Sequence, residues 1–277
     1  MLNTVATPIY LHAITPIHSG TGSSSDVVDL PIAREKATGW PVIPGSSLKG
    51  VLAWEHEKLH GLEQRGAIYG TQRQRSTLAF TDMRILCMPV RSFFGTFAWV
   101  TSPLALDRYV RDARALGVLH DRDNLTPPSI EDGLDATVCT NSEIVRENRI
   151  YLEDLDLVSE PREATSKAAE FIARAVMGDE HWAGFVSRFA IVSNDIFDYI
   201  CETATEVVAR IALGDDGTTS GSGGNLWYEE AVPAEAIFAG FMLGVPGSGD
   251  GVVASGTVQI GGNAGVGRGL CRLVVDR

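Results

Sequence analysis

Apolar and polar positions alternate along the chain in a way that marks short strands and a few helices. Residues 9–14, Ile-Tyr-Leu-His-Ala-Ile, alternate well enough for a first strand. Residues 47–59 carry Leu48, Val51, Leu52 and Leu59 at helical spacing, with Glu55, Glu57 and Lys58 on the outside. Residues 61–76 are polar and basic, with Arg65, Arg73 and Arg75, and read as a loop. Strands follow over 78–90 and 93–100. Pro103 then opens a helix whose Leu104, Leu106, Tyr109, Val110 and Leu116 share a face, proline being favoured at a first helical position. Periodicity fades over 117–148, where Pro127-Pro128, Asp121 and Asp123 mark a loop-rich insertion. A short strand at 150–152 and a helix at 162–177 come next, the helix turning Ala168, Phe171, Ile172 and Ala175 inward. Residues 189–192 read as strand, and Ser193-Asn194-Asp195 as a turn capping a helix over 196–205. Strand-like 207–213 and 226–230 flank the Gly/Ser-rich stretch 214–224, which predicts a long hairpin arm. The chain finishes with strands at 237–245 and 258–260, a glycine loop at 261–269, and a strand at 270–275.

This order suits an α+β sheet with helices on one face, of the ferredoxin-like kind. The 277 residues fit one large domain or two small ones. No run of about 18 apolar residues occurs, so no membrane-spanning helix is expected, and residues 1–5 lack the basic-then-apolar form of a signal peptide. A cytoplasmic protein is the expectation. Cys87, Cys139, Cys201 and Cys271 are far apart without a CxxC pair, which argues for reduced thiols and against a cysteine-held zinc. The formal charge of −12 argues against a free-standing, non-specific nucleic-acid binder but leaves room for a local basic groove.

Candidate chemistry concentrates between Thr15 and Gly50. Gly20 and Gly22 let a ligand approach the main chain. Pro44-Gly45-Ser46-Ser47 reads as a turn into a helix start with a serine cap, an anion site to which Lys49 adds charge. Asp29 is open to reading as metal ligand, general base or turn carboxylate, and Asp26 can do the same work. His18 is an acid–base candidate or a structural histidine. The loop Gly262-Asn263-Ala264-Gly265-Val266-Gly267-Arg268-Gly269 imitates a phosphate-binding P-loop. It fails because Arg268-Gly269 replaces Lys-Ser/Thr and only eight residues follow. What remains is backbone open to a polyanion with Arg268 as contact, or a hairpin turn. Arg91, Arg108 and Arg111 line a groove or are ordinary surface charges. Trp227 and Tyr228 can stack on bases, though strand neighbours face opposite ways and one of them belongs to packing.

Seven blocks in order give a resemblance. They are Thr15–Gly22, Val27-Val28-Asp29-Leu30-Pro31-Ile32 with Arg34-Glu35, Ile43–Gly50, Pro89-Val90-Arg91-Ser92, Val100-Thr101-Ser102-Pro103-Leu104, Leu226-Trp227-Tyr228-Glu229-Glu230 and Gln259-Ile260-Gly261-Gly262-Asn263. The chain resembles the repeated backbone subunit of the type III-B CRISPR effector, the Cmr complex, in the RAMP superfamily. The resemblance implies a ferredoxin-like (RRM-like) palm over 1–116 and 189–277, a hairpin thumb near 207–232 and a helical insertion near 117–188, all one domain. It implies copies stacked along a CRISPR RNA with other Cmr subunits, no membrane partner, and metal-dependent endoribonuclease cleavage of target RNA at regular intervals. The catalytic set it implies is Asp29, His18, Tyr228, Glu229 and Glu230, with Asp29 also holding a divalent metal ion, Mg or Mn. The RNA-binding set is Gly20, Gly22, Ser46, Ser47, Lys49, Arg91, Trp227, Gly262, Asn263, Gly265, Gly267 and Arg268. Asp26 stands where relatives carry a non-acidic residue, so the single-aspartate assignment is contested by its neighbour. Two alternatives stand beside this: a non-catalytic RNA-binding filament subunit, and an unrelated metal-dependent hydrolase of small phosphate esters.

Overall fold

The structure, a computed structural model, describes residues 4–23, 27–119, 125, 128–178, 181–211, 226–245 and 252–276. Asp26 and the expected arm tip fall outside them. The strands are β1 (Val5–Ala13), β2 (Val42–Ile43), β3 (Leu78–Phe80), β4 (Met83–Arg91), β5 (Phe97–Thr101), β6 (Ala136–Val138), β7 (Val145–Arg146), β8 (Arg149–Leu152), β9 (Leu155–Pro161), β10 (Phe189–Val192), β11 (Glu206–Ile211), β12 (Leu226–Ala231), β13 (Ile237–Gly244), β14 (Gly256–Gln259) and β15 (Leu270–Val275). The helices are α1 (Gly45–His60), α2 (Leu62–Tyr69), α3 (Pro103–Ala115), α4 (Glu163–Val176), α5 (Trp182–Ser187) and α6 (Asn194–Thr203).

One large sheet runs β14-β15-β1-β13-β4-β5-β10-β6-β9-β8-β7, with β2 added to β4 and β3 to β13. Its centre is antiparallel; β10 joins β5, and β9 joins β6, in parallel. β11 and β12 form a separate antiparallel ribbon. Helices cover both faces of the sheet, where one covered face was expected. Ile9, Tyr10 and Leu11 of β1 are all buried, and a strand with no wet side must be covered twice. Ile9 and Leu11 pack with Leu48 and Leu52 of α1 and Phe197 and Ile200 of α6. Tyr10 packs on the other side with Leu106 and Tyr109 of α3 and Ile172 of α4.

Three further departures have local causes. Residues 62–69, expected as loop, form α2, bounded by Gly61 and Gly70 at φ +86° and +83°. The expected strand 78–90 breaks at Thr81-Asp82, and β3 turns to pair with β13. The expected helical insertion also holds β6 to β9, which lengthen the main sheet. Ser193 caps α6 as expected, accepting from the Ile196 N–H, and Ser102 caps α3. All four cysteines are free and buried, and burial pushes the Cys139 and Cys271 thiols up to about 12. No helix among the described residues is long and apolar enough to cross a membrane.

Candidate active site

The ribbon is joined to the sheet along one edge of β12. In a strand, the N–H and C=O of alternate residues point to the same side, so Tyr228, Glu230 and Val232 face one edge. Asp29 Oδ2 accepts from the Tyr228 N–H at 2.7 Å. Leu30 then pairs with the Tyr228 carbonyl and the Glu230 N–H, both at 3.0 Å. His18 Nδ1 meets the Glu230 carbonyl at 2.7 Å, and Ile17 exchanges two bonds with Val232. Asp29 and His18 are therefore held on successive rungs of one strand. A carbonyl can only accept, so Nδ1 of His18 carries a proton, and Nε2 is left to hold a lone pair or a second proton.

Glycines shape the space around His18. A Cβ on Gly20 would stand 2.6 Å from His18 Nε2, and one on Gly262 would stand 3.3 Å from Cδ2. At Gly261, with φ +81°, a Cβ would stand 2.2 Å from the His18 carbonyl oxygen. Gly20 and Gly262 thus make room for the imidazole. Gly22, Gly265 and Gly267 do face open space.

The two glutamates of β12 take opposite faces and are both occupied. Glu229, 2% exposed, accepts from Asn263 Nδ2 at 2.5 Å and lies 3.5 Å from Arg210 Nε and 3.6 Å from Arg268 Nε. Arg268 also reaches Glu206 at 3.6 Å. The expected polyanion contact at Arg268 is instead a buried partner of two carboxylates. Glu230 receives the Ile32 N–H at 3.0 Å, Arg34 Nη2 at 2.6 Å and the Thr205 hydroxyl at 2.9 Å. Thr205, Glu206 and Arg210 escaped the sequence reading, and Arg34 was given no role in it, because nothing local distinguishes them; their partners lie 19 to 196 residues away. Tyr228 is 43% exposed, while Trp227 on the opposite face is half-buried.

Other expected contacts lie elsewhere. The N-cap of α1 is Pro44, with no side-chain cap, and the Gly45 N–H donates to Asp82 Oδ1 at 2.8 Å. A carboxylate of the chain thus occupies the helix start where Ser46 and Ser47 were to hold an anion. Lys49 lines a separate hollow with Thr71, Arg73 and Arg75. Arg91 is exposed at the end of β4, its backbone tied to Glu153. Among the described residues, no group of three or more His, Cys, Asp or Glu side chains could hold a metal ion.

The RAMP superfamily model matches residues 10–272. A curated relative from Pyrococcus furiosus, the CRISPR system Cmr endoribonuclease Cmr4, is 33% identical over 285 aligned residues, covering 96% of this chain and 94% of the relative. A crystal structure of oligomeric Cmr4 from Pyrococcus furiosus superposes with a TM-score of 0.78 at 28% identity, covering 99% of this chain and 98% of that one. A chain of a type III-B Cmr-beta complex bound to cognate target RNA shares the fold, with a TM-score of 0.77 at 21% identity over 98% of this chain and 96% of that one. The chain belongs to the RAMP superfamily and, within it, to the Cmr4 family of backbone subunits of the type III-B CRISPR effector.

Proposed function

We propose that the chain is an endoribonuclease subunit that stacks along a CRISPR RNA and cuts the paired target RNA at regular intervals. The observation that carries this reading is the placement of Asp29 and His18 on successive rungs of β12, at the base of the ribbon that serves as thumb. An acid–base pair on one rigid strand is what transfer of the neighbouring 2′-hydroxyl onto a phosphate requires.

In that reaction the 2′-oxygen attacks phosphorus and the bond to the 5′-oxygen breaks, giving a 2′,3′-cyclic phosphate and a 5′-hydroxyl. Asp29 accepts the 2′-hydroxyl proton. His18, entering doubly protonated, returns one from Nε2 to the leaving oxygen. Its Nδ1–H bond to Glu230 fixes the ring plane. Glu230 and Glu229 act as positioning residues, because their carboxylates are committed to Arg34, Arg210, Arg268 and Asn263. Tyr228 orders Asp29 through its N–H and offers its exposed ring to a displaced base. Most of the acceleration comes from alignment by a thumb-distorted backbone. Gly22, Gly265 and Gly267 are left as the backbone that admits RNA.

One carboxylate fits a hard divalent ion only with help, and Mg or Mn commonly takes one or two protein carboxylates alongside substrate phosphate. Asp29 Oδ1, which has no hydrogen-bond partner among the described residues, is the atom that would hold it. The ion would supply charge neutralisation at the phosphate.

The test is a reconstituted, RNA-programmed complex carrying Asp29→Asn. Asparagine keeps an oxygen for the Tyr228 N–H and removes the base. Intact target binding with cleavage lost is the expected result; cleavage at the wild-type rate would remove Asp29 from the mechanism.

A further inference from the structure

We propose that copies of this chain stack head to tail by seating Phe93 of one copy in the hollow beside Trp40 and Tyr109 of the next. The proposal rests on the filament reading and assigns the surface that builds it.

Phe93 is 82% exposed at the tip of the β4–β5 hairpin. It is not a loose side chain. Phe94 meets its ring edge-on with centroids 5.0 Å apart, and Phe94 is itself held by Tyr151 at 6.0 Å and by the Arg146 guanidinium at 4.6 Å. Gly95 and Thr96 take φ +71° and +74° to close the turn, with Gly95 set against Ile144. A phenyl ring presented this way to water forgoes about 1.5–3 kcal/mol that burial would return. Nothing within the described chain covers it.

The hollow lies at the other end of the same strand. It is an open hollow of about 330 Å³ lined by Trp40, Tyr109 and Phe241 together with the charged Arg84, Arg108 and Asp112, and the Tyr109 and Phe241 rings are nearly parallel at 13°. A cavity of about 150 Å³ accommodates benzene, so the hollow has room for a phenylalanine ring against its aromatic residues. Seven residue steps from Arg84 to Arg91 span about 23 Å of strand. On the filament reading the contact is heterologous and repeats without closing.

Both rims carry both signs. Arg91 and Glu153 stand beside the knob; Asp82 and Arg111 stand beside the socket, all four exposed. An exposed aromatic near arginines also suits a stacked base. Exposed Glu147, Glu153 and Asp154 around the tip weigh against a polyanion and for a protein partner.

The experiment uses the RNA-free full chain and reads mass by light scattering over a concentration series. Phe93→Asp spoils the knob and keeps the socket; Ala115→Trp fills the socket and keeps the knob. Each alone should associate at least tenfold more weakly than wild type, while a mixture should form a 1:1 dimer and stop there. Melting checks that each variant folds, and Phe93→Ser replaces the aspartate if it does not. Wild-type association by Phe93→Asp, a mixture that stays monomeric, or a wild-type chain that never associates would each overturn the proposal. So would loss of RNA binding by Phe93→Asp with association unchanged, which would make the ring a base contact. If RNA-programmed complexes carrying Phe93→Asp still assemble and cut, only the surface is wrong and the filament reading stands.

Discussion

Arg34 and Glu35 are neighbours in the chain, yet each belongs to a different ionic network. Arg34 reaches inward to Glu230, whose carboxylate also receives a backbone N–H and a hydroxyl and is 6% exposed. Glu35 reaches outward to Arg108 at 2.7 and 2.8 Å and to Arg84 at 3.1 Å, and Arg84 goes on to Asp112 at 2.6 Å. That second network borders an open hollow, and Arg84 keeps 43% of its side chain in solvent. The residue types are the same; the access of water differs. Where water is absent, a lost partner leaves a charge with nothing to replace it. Where water is present, solvent takes over and little changes. The buried network therefore fixes the base of the ribbon, while Asp29 beside it is only half-buried.

That distinction is testable, and the largest effect is expected at Asp29. Asp29→Asn should cut target cleavage by roughly 10²–10⁴-fold, the usual worth of a general base, with melting unchanged. Glu230→Gln at the next rung should slow cleavage less and lower stability more. Next in size is a paired stability measurement by urea unfolding. Glu230→Ala should cost about 3–5 kcal/mol, as for removal of one partner of a buried pair. Glu35→Ala should cost less, because solvent reaches Arg84 and can replace part of what Glu35 supplies. Equal losses would erase the contrast between the two networks. Gly261→Ala comes third: a Cβ there meets the His18 carbonyl oxygen at 2.2 Å from a backbone at φ +81°. Strain of about 1–3 kcal/mol is expected. Cleavage should fall with it, because His18 must shift; an unshifted melting curve would mean the loop is looser than its geometry.

Much of this was legible before any coordinates. The two ribbon strands, the start of α3, the α6 cap and the β1 strand follow from periodicity and turn residues, which act over a few positions. The two-sided cover of the sheet was written in the unbroken burial of Ile9-Tyr10-Leu11, but an apolar run of that length does not say which helices arrive. The α2 helix was hidden because its eight residues carry little apolar periodicity and owe their ends to Gly61 and Gly70. At the site, His18 and Asp29 were named from order and resemblance. What they bond to was not readable: Glu230 gathers Ile32, Arg34 and Thr205 across 198 to 25 residues of chain, and local patterns carry no record of such closures. The same distance explains Arg268 and the glycines. A glycine loop with an arginine looks alike whether it faces a phosphate or, as at Gly262, the ring of His18.

The smallest effect belongs to the outer network and is lost only in acid. Burial alone would raise the Glu35 carboxyl, but the Arg108 hydrogen bonds, the Thr38 hydroxyl and the charges of Arg108 and Arg84 outweigh it and hold the group below its usual range. A carboxyl whose folded pKa is depressed contributes stability above its unfolded value, about 4.3, and loses it as pH falls through the lower folded value. Subtracting the urea midpoint of Glu35→Gln from that of wild type should therefore give a difference that is flat from neutral pH down to about 5. Below that it should shrink, because protonation of Glu35 does to the wild type what glutamine does to the variant. Glu230 would be the wrong residue for this measurement, since losing its charge also unbalances its partner Arg34. A difference that grows with acid would mean that Glu35 is burdened by its burial rather than held by its arginines.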